Sequence, residues 1–216
     1  MPPHPRWRLS LGIDVADRGR FIVFEGIDGS GKSTQVARTA ERLNAVATFE
    51  PGATEVGQRL RAILLDAATP LDPNAEALLM AADRAQHVGT VVTPTISAGR
   101  HVVSDRYVGS TLAYQGYGRG LDLDELRQVC DLATGGLKPD LVVLMDLDPT
   151  AAASRGTQDE RNRFEAGRDF QHRVRRGFLE LAERDERWVV VDAAAPLAEV
   201  NAVVDAAVDG LLGGGS

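Results

Sequence analysis

The chain is short of the residues that staple, anchor or export a protein. A single cysteine, Cys130, stands among 216 residues, so no internal disulfide can form; this fits a reducing compartment and makes the cytoplasm the default location. No apolar run approaches the roughly 20 residues that cross a bilayer, and residues 1–20 hold Pro2, Pro3 and Pro5 but no apolar core of signal-peptide length. Aromatic residues make up only 5%. Positive charge is also scarce, with 24 Lys and Arg against 31 Asp and Glu and a formal net charge of -7. Such a balance attracts no nucleic acid, and no basic face with interleaved aromatics is legible. Any phosphate-binding site must be a local basic patch.

What is present suits one folded domain. Hydrophobic residues are 44% and charged residues 25%, which argues against disorder at a length ample for one core and short for two. Apolar strand patterns fall at 21–24, 45–50, 101–104, 141–147 and 188–191. Helical patterns fall between them at 32–43, 54–66, 74–88, 124–133, 164–184 and 197–212. This alternation predicts a three-layer α/β fold: a central parallel sheet of five strands covered by helices on both faces. Residues 1–19 read as an extension, 20–212 as the domain and 213–216 as a frayed tail. Ligands of such sheets bind at the carboxyl ends of the strands, so the segments that follow each strand carry the functional expectation.

After the first strand comes Gly26-Ile-Asp28-Gly29-Ser30-Gly31-Lys32-Ser33. This is the phosphate-loop pattern, with the strand before it and the helix after it that the pattern requires. Glycines let successive N–H groups turn toward a polyphosphate, and the helix N-terminus adds its positive dipole end. Lys32 is placed to reach the β and γ phosphates, and Ser33 to ligate magnesium, with Thr34 completing the first turn. A nucleoside triphosphate is therefore expected, with Mg2+ as its cofactor. After the third strand, Asp105 can hold the magnesium surroundings while Arg106 grips a phosphate.

With Phe24-Glu-Gly-Ile-Asp28, Glu50-Pro-Gly52, Ala82-Asp-Arg84-Ala-Gln-His87, Ser104-Asp-Arg-Tyr107 and Tyr114-Gln115-Gly-Tyr-Gly-Arg-Gly120, the chain resembles the bacterial thymidylate kinases from about residue 20 to about 212. The resemblance implies a phosphate-loop kinase that moves the γ-phosphoryl of ATP to dTMP, with ATP and dTMP as its partners and a homodimeric assembly. It implies that Asp28 contacts the acceptor's 3′-hydroxyl and that Arg106, with Arg61, holds the acceptor phosphate. It further implies that Arg84, Thr111 and Gln115 read the thymine edge, that Tyr114 crowds a 2′-hydroxyl, and that Glu50 belongs to the acceptor site. A mobile lid at about 154–166 is implied, with Arg155, Arg161 or Arg163 supplying the catalytic arginine that the phosphate loop lacks. Phe49 replaces an arginine and Met80 replaces a phenylalanine of the family pattern, and both changes bear on base selectivity. His87, His101 and the arginines at 168, 173, 175 and 176 read as structural or surface residues. Two other readings share the phosphate loop: a kinase for another nucleoside monophosphate, and a regulatory ATPase. Turnover that depends on an added monophosphate separates them.

Overall fold

The computed structural model describes residues 18–155 and 168–213, except the side chains of Arg155 and Arg168. Its centre is a five-stranded sheet in the order β2-β3-β1-β4-β5, with every pairing parallel. β1 (Phe21–Glu25) is buried along its whole length. The other strands are β2 (Val46–Phe49), β3 (Val102–Asp105), β4 (Leu141–Asp146) and β5 (Trp188–Asp192). Because side chains alternate across a strand, Ile22, Phe24, Val103 and Val143 face one way and Phe21, Val23, Val102 and Val142 the other.

The first of these faces is covered by α1 (Lys32–Leu43), α8 (Arg168–Glu183) and α9 (Leu197–Gly213), through Val36, Val174, Phe178, Val200, Val204 and Val208. The second meets Val88, Val92, Ile96 and Tyr107. The remaining helices are α2 (Glu55–Leu65), α3 (Pro73–His87), α4 (Thr93–Ser97), α5 (Val108–Thr111), α6 (Leu123–Thr134) and α7 (Pro149–Arg155). Local chemistry sets several starts. Thr54, Asp72 and Asp122 accept backbone N–H groups at the N-termini of α2, α3 and α6, and Pro73 occupies the first turn of α3.

Two stretches depart from the sequence expectation. The helix predicted to end at Val88 runs on through a π-helical turn, Val88–Val92, into α4. Pro94 follows directly in α4, just after the helix has widened so that the Thr93 N–H bonds the Val88 carbonyl five residues back. The sequence reading assigns no element to 108–118, whose glycines look like punctuation. The structure makes it α5 followed by a π-helical turn, Leu112–Gly118. There the glycines serve close packing: a β-carbon on Gly109 would lie 2.8 Å from the Glu25 carboxylate, and one on Gly118 would lie 2.6 Å from the Phe170 ring.

The strand order decides where the site lies. The ends of β2, β3 and β1 stand side by side, so Glu50, Asp105 to Tyr107 and the phosphate loop open onto one crevice.

Candidate active site

The loop after β1 turns sharply before α1 begins. Gly26 has φ 139 and Gly31 φ 87, and a β-carbon on Gly26 would sit 2.5 Å from the Met145 carbonyl oxygen. Only glycine makes both turns without strain. Lys32 is buried; its Nζ donates to the Ile27 carbonyl at 2.8 Å and lies 4.0 Å from the Asp28 carboxylate. Burial first, and Arg106 next, lower the Lys32 pKa to about 8. The Ser33 hydroxyl donates to Asp105 at 2.6 Å. A cleft of about 650 Å³ opens over this loop, lined by Gly29, Gly31, Lys32, Ser33, Thr34 and Asp105.

A second, narrower cavity lies deeper, among Met80, Arg84, Thr111, Tyr114 and Gln115. Asp28, Glu50, Arg61 and Arg106 line both spaces. Arg106 is the hinge between them. Its backbone adopts φ 74, unusual for a residue with a side chain. Its Nη1 donates to the Gly26 carbonyl at 3.1 Å and to the Ser110 hydroxyl at 2.9 Å, and its Nη2 donates to Asp28 at 2.5 Å. The guanidinium also lies over the Tyr114 ring, 5.2 Å from its centre. Arg106 is the foremost reason that the Asp28 carboxyl is held below its ordinary pKa. Arg61 donates to the Pro51 carbonyl at 2.7 Å and stacks at 5.9 Å over Phe49. Phe49 therefore gives Arg61 an aromatic rest.

Deeper still, Arg84 is 2% exposed. It donates to Glu50 at 2.8 Å, to the Thr111 hydroxyl at 2.9 Å and to the Tyr107 carbonyl at 2.9 Å. The other Glu50 oxygen meets His87 Nδ1 at 2.8 Å. Both oxygens of Glu50 are thus engaged by protein groups, so at this position it orients Arg84. Gln115, on the π-helical turn, donates to Glu76 at 2.9 Å.

The predicted loop and acceptor residues from Asp28 to Gln115 line one or both of these cavities, apart from Ser30, which like Gly26 lines neither. Arg161 and Arg163 lie outside the described residues, as does the side chain of Arg155 and most of the expected lid. Arg175, expected on the helix surface, instead grips Asp146 through two hydrogen bonds of 2.7 and 2.9 Å and Asp148 through one of 3.0 Å. Period-3.6 reasoning places a residue on a face without revealing that the end of β4 lies opposite. The sequence reading also missed Glu25, which is fully buried. Glu25 accepts from the Tyr107 and Ser110 amides at 3.0 Å each and from the Ser110 hydroxyl at 2.6 Å. Its sequence signals are a charged residue directly after the apolar strand pattern and its place in the Phe24-Glu-Gly-Ile-Asp28 motif.

The oxygens of Ser33 and Asp105, hard donors at the mouth of the phosphate loop, fit a magnesium ion. Among the described residues no cluster of three or more His, Cys, Asp or Glu side chains could hold a metal.

A parallel sheet with a phosphate loop after β1, an arginine at the end of β3 and a second cavity behind them is the architecture of a phosphate-loop kinase. The thymidylate kinase family model matches residues 24–204. The chain belongs to the thymidylate kinase family. It is 49% identical over 197 residues to a thymidylate kinase of Synechococcus sp. (strain RCC307), covering 85% of this chain and 92% of that one. With a thymidylate kinase of Carboxydothermus hydrogenoformans the identity is 46% over 203 residues, covering 91% of this chain and 100% of the other. The crystal structure of a thymidylate kinase from Ehrlichia chaffeensis superposes with a TM-score of 0.72 at 32% identity, covering 88% of this chain and 98% of that chain.

Proposed function

We infer that the protein transfers the γ-phosphoryl group of ATP to dTMP, giving ADP and dTDP. The observation that carries this is the meeting of two cavities at Arg106, Asp28 and Arg61. The wide cleft suits a triphosphate on the loop, and the narrow one suits a mononucleotide whose phosphate reaches the same arginines.

In this reading an oxygen of the dTMP phosphate attacks the γ-phosphorus as the bond to the β-phosphate oxygen breaks, and ADP leaves. The attacking oxygen is already anionic near neutral pH, so no general base is required and placement dominates. Lys32 and the loop N–H groups neutralise charge on the donor. Arg106 and Arg61 hold the acceptor phosphate, since a guanidinium fork matches two phosphate oxygens. When that phosphate arrives, Asp28 is released from Arg106 and takes the 3′-hydroxyl. Ser33 and Asp105 would hold Mg2+, which when bound supplies charge neutralisation to the β and γ oxygens. Tyr114, buried against Phe170 and Phe178 with ring centres 6.1 Å apart in each case, walls the sugar side. Arg155, Arg161 and Arg163 are the proposed sources of the arginine that closes over the transferring group.

We also propose that the protein works in the cytoplasm as a homodimer. Val56 and Ile63 of α2, Leu78 of α3 and Leu132 of α6 stand exposed, and light scattering in solution tests the assembly. Among the described residues no helix is long and apolar enough to cross a membrane.

The test of the activity is ADP release with ATP, magnesium and each of dTMP, dUMP, UMP, CMP, AMP and GMP. Turnover strongest with dTMP is expected. Release that needs no acceptor, or turnover strongest with a purine nucleotide, sinks the assignment.

A further inference from the structure

We propose that Glu76 sets the hydrogen-bonding pattern shown to the acceptor base, by fixing which end of the Gln115 amide faces the cavity. The inference rests on reading that cavity as the base site.

An amide side chain has an acceptor end and a donor end of nearly the same shape, so a glutamine alone specifies neither. Glu76 removes the ambiguity. It lies on α3 at 1% exposure. Its Oε1 accepts from Gln115 Nε2 at 2.9 Å and from Arg119 Nε at 3.3 Å, and its Oε2 accepts from Arg119 Nη2 at 3.1 Å. A carboxylate whose two oxygens both accept from a guanidinium has no proton to give. The Gln115 amide must therefore offer Glu76 its nitrogen, which leaves Oε1 at the other end. No hydrogen bond to that oxygen is made among the described residues.

Arg84 lines the same cavity. It is a donor at every nitrogen, and it is held by Glu50, Thr111 and the Tyr107 carbonyl. The base end of the cavity thus shows a donor and an acceptor. Thymine and uracil present the complement, a carbonyl at position 4 beside an N–H at position 3. Cytosine reverses both, with an amino group beside a bare ring nitrogen, and would leave buried polar groups facing like partners. Sites built on hydrogen bonds reject such analogues strongly, because their own buried groups are left unpaired. Glu76 touches no base in this account. It is a positioning residue.

The experiment compares kcat/KM for dTMP and for 5-methyl-dCMP, which share methyl group, sugar and phosphate and differ only at this edge. The wild-type protein should favour dTMP by at least about 1000-fold. Glu76→Gln, whose own amide can face either way, frees Gln115 to turn, and the ratio should fall by about tenfold or more. Glu76→Asp keeps an acceptor-only partner and should retain the ratio within about twofold, even where turnover and stability decline. Damage of a general kind slows both nucleotides together and leaves the ratio in place. An unchanged ratio in Glu76→Gln, or equal losses in the Gln and Asp variants, overturns the proposal. If Glu76→Gln does not fold, the exchange Glu76→Gln with Gln115→Glu carries the test. It again turns an oxygen to the base and should keep the wild-type preference; collapse of the preference there refutes the role. A wild-type protein that turns over no dTMP fails the functional reading itself, a result separate from these.

Discussion

Glu25 is the residue whose titration should be felt most. Burial pushes its carboxyl from an ordinary 4.5 to about 7, against the opposing pull of the Ser110 hydrogen bonds and the Arg106 charge. An acid whose pKa is higher folded than unfolded binds more protons in the folded state. Its stabilising contribution is therefore complete below about 4.5 and is lost as pH rises through about 7. The size of that loss is about 3 kcal/mol at 1.36 kcal/mol per pKa unit. Glu25→Gln stays neutral throughout and should not share the decline. Urea unfolding of both proteins, followed from about pH 5 to about pH 8, isolates the group because every other titration is common to the pair. Relative to the parent, the variant should gain about 3 kcal/mol across that range, or about 1.5 M in midpoint for a slope near 2 kcal/mol/M. Parallel profiles would refute the reasoning. They would mean that the three hydrogen bonds to Glu25 outweigh its burial and that it is ionised at the usual pH.

Three further outcomes follow from the same geometry. Lys32, at about 8 in the free protein, should be driven back to its charged form by a bound triphosphate; calorimetry above about pH 8 in buffers of different ionisation enthalpy should show proton uptake with ATP, absent in Lys32→Met. Arg106→Lys loses the fork that spans Gly26, Ser110 and Asp28, and should lower kcat/KM for the acceptor by about 100-fold while leaving binding of ATP alone within about twofold. Gly109→Ala would drive a β-carbon to 2.8 Å from both the Glu25 carboxylate and the Trp188 ring, which should cost about 1–3 kcal/mol in denaturant unfolding.

The sheet was legible because each of its strands is a short apolar run, buried on both faces in β1 and β3, with turn residues on either side. α1 falls at the predicted bounds because the phosphate-loop pattern itself specifies where a helix must start. The acceptor cavity was legible only as residue types at family spacing. What could not be read was the second layer of contacts: Glu25 beneath Ser110, Glu76 behind Gln115, Asp146 opposite Arg175. Such pairs join residues 29 to 85 positions apart, and local periodicity carries no information about partners at that distance. The π-helical turn was missed for another reason. Its two glycines, Gly116 and Gly118, pack closely on Leu123 and Phe170, and single-residue propensity reads such glycines as breaks.

Among the described residues, each charged group at the mouth of the two cavities has a protein partner, and this shapes what the site can accept. Asp28 pairs with Arg106, Lys32 leans on the Ile27 carbonyl, Ser33 is tied to Asp105, and Arg61 to the Pro51 carbonyl. A lone anion that draws Arg106 away leaves the half-exposed Asp28 carboxylate without its partner, so part of the gain is cancelled. A ligand that brings a phosphate for Arg106 and a hydroxyl donor for Asp28 makes both exchanges at once. Recognition is then cooperative within one molecule: phosphate and sugar contribute more together than the sum of inorganic phosphate and free nucleoside bound apart. The same exchange explains why an acidic residue is tolerated inside a loop built for polyphosphate. On the proposed function, its charge is paired with Arg106 until the acceptor arrives and then meets the sugar hydroxyl rather than the donor.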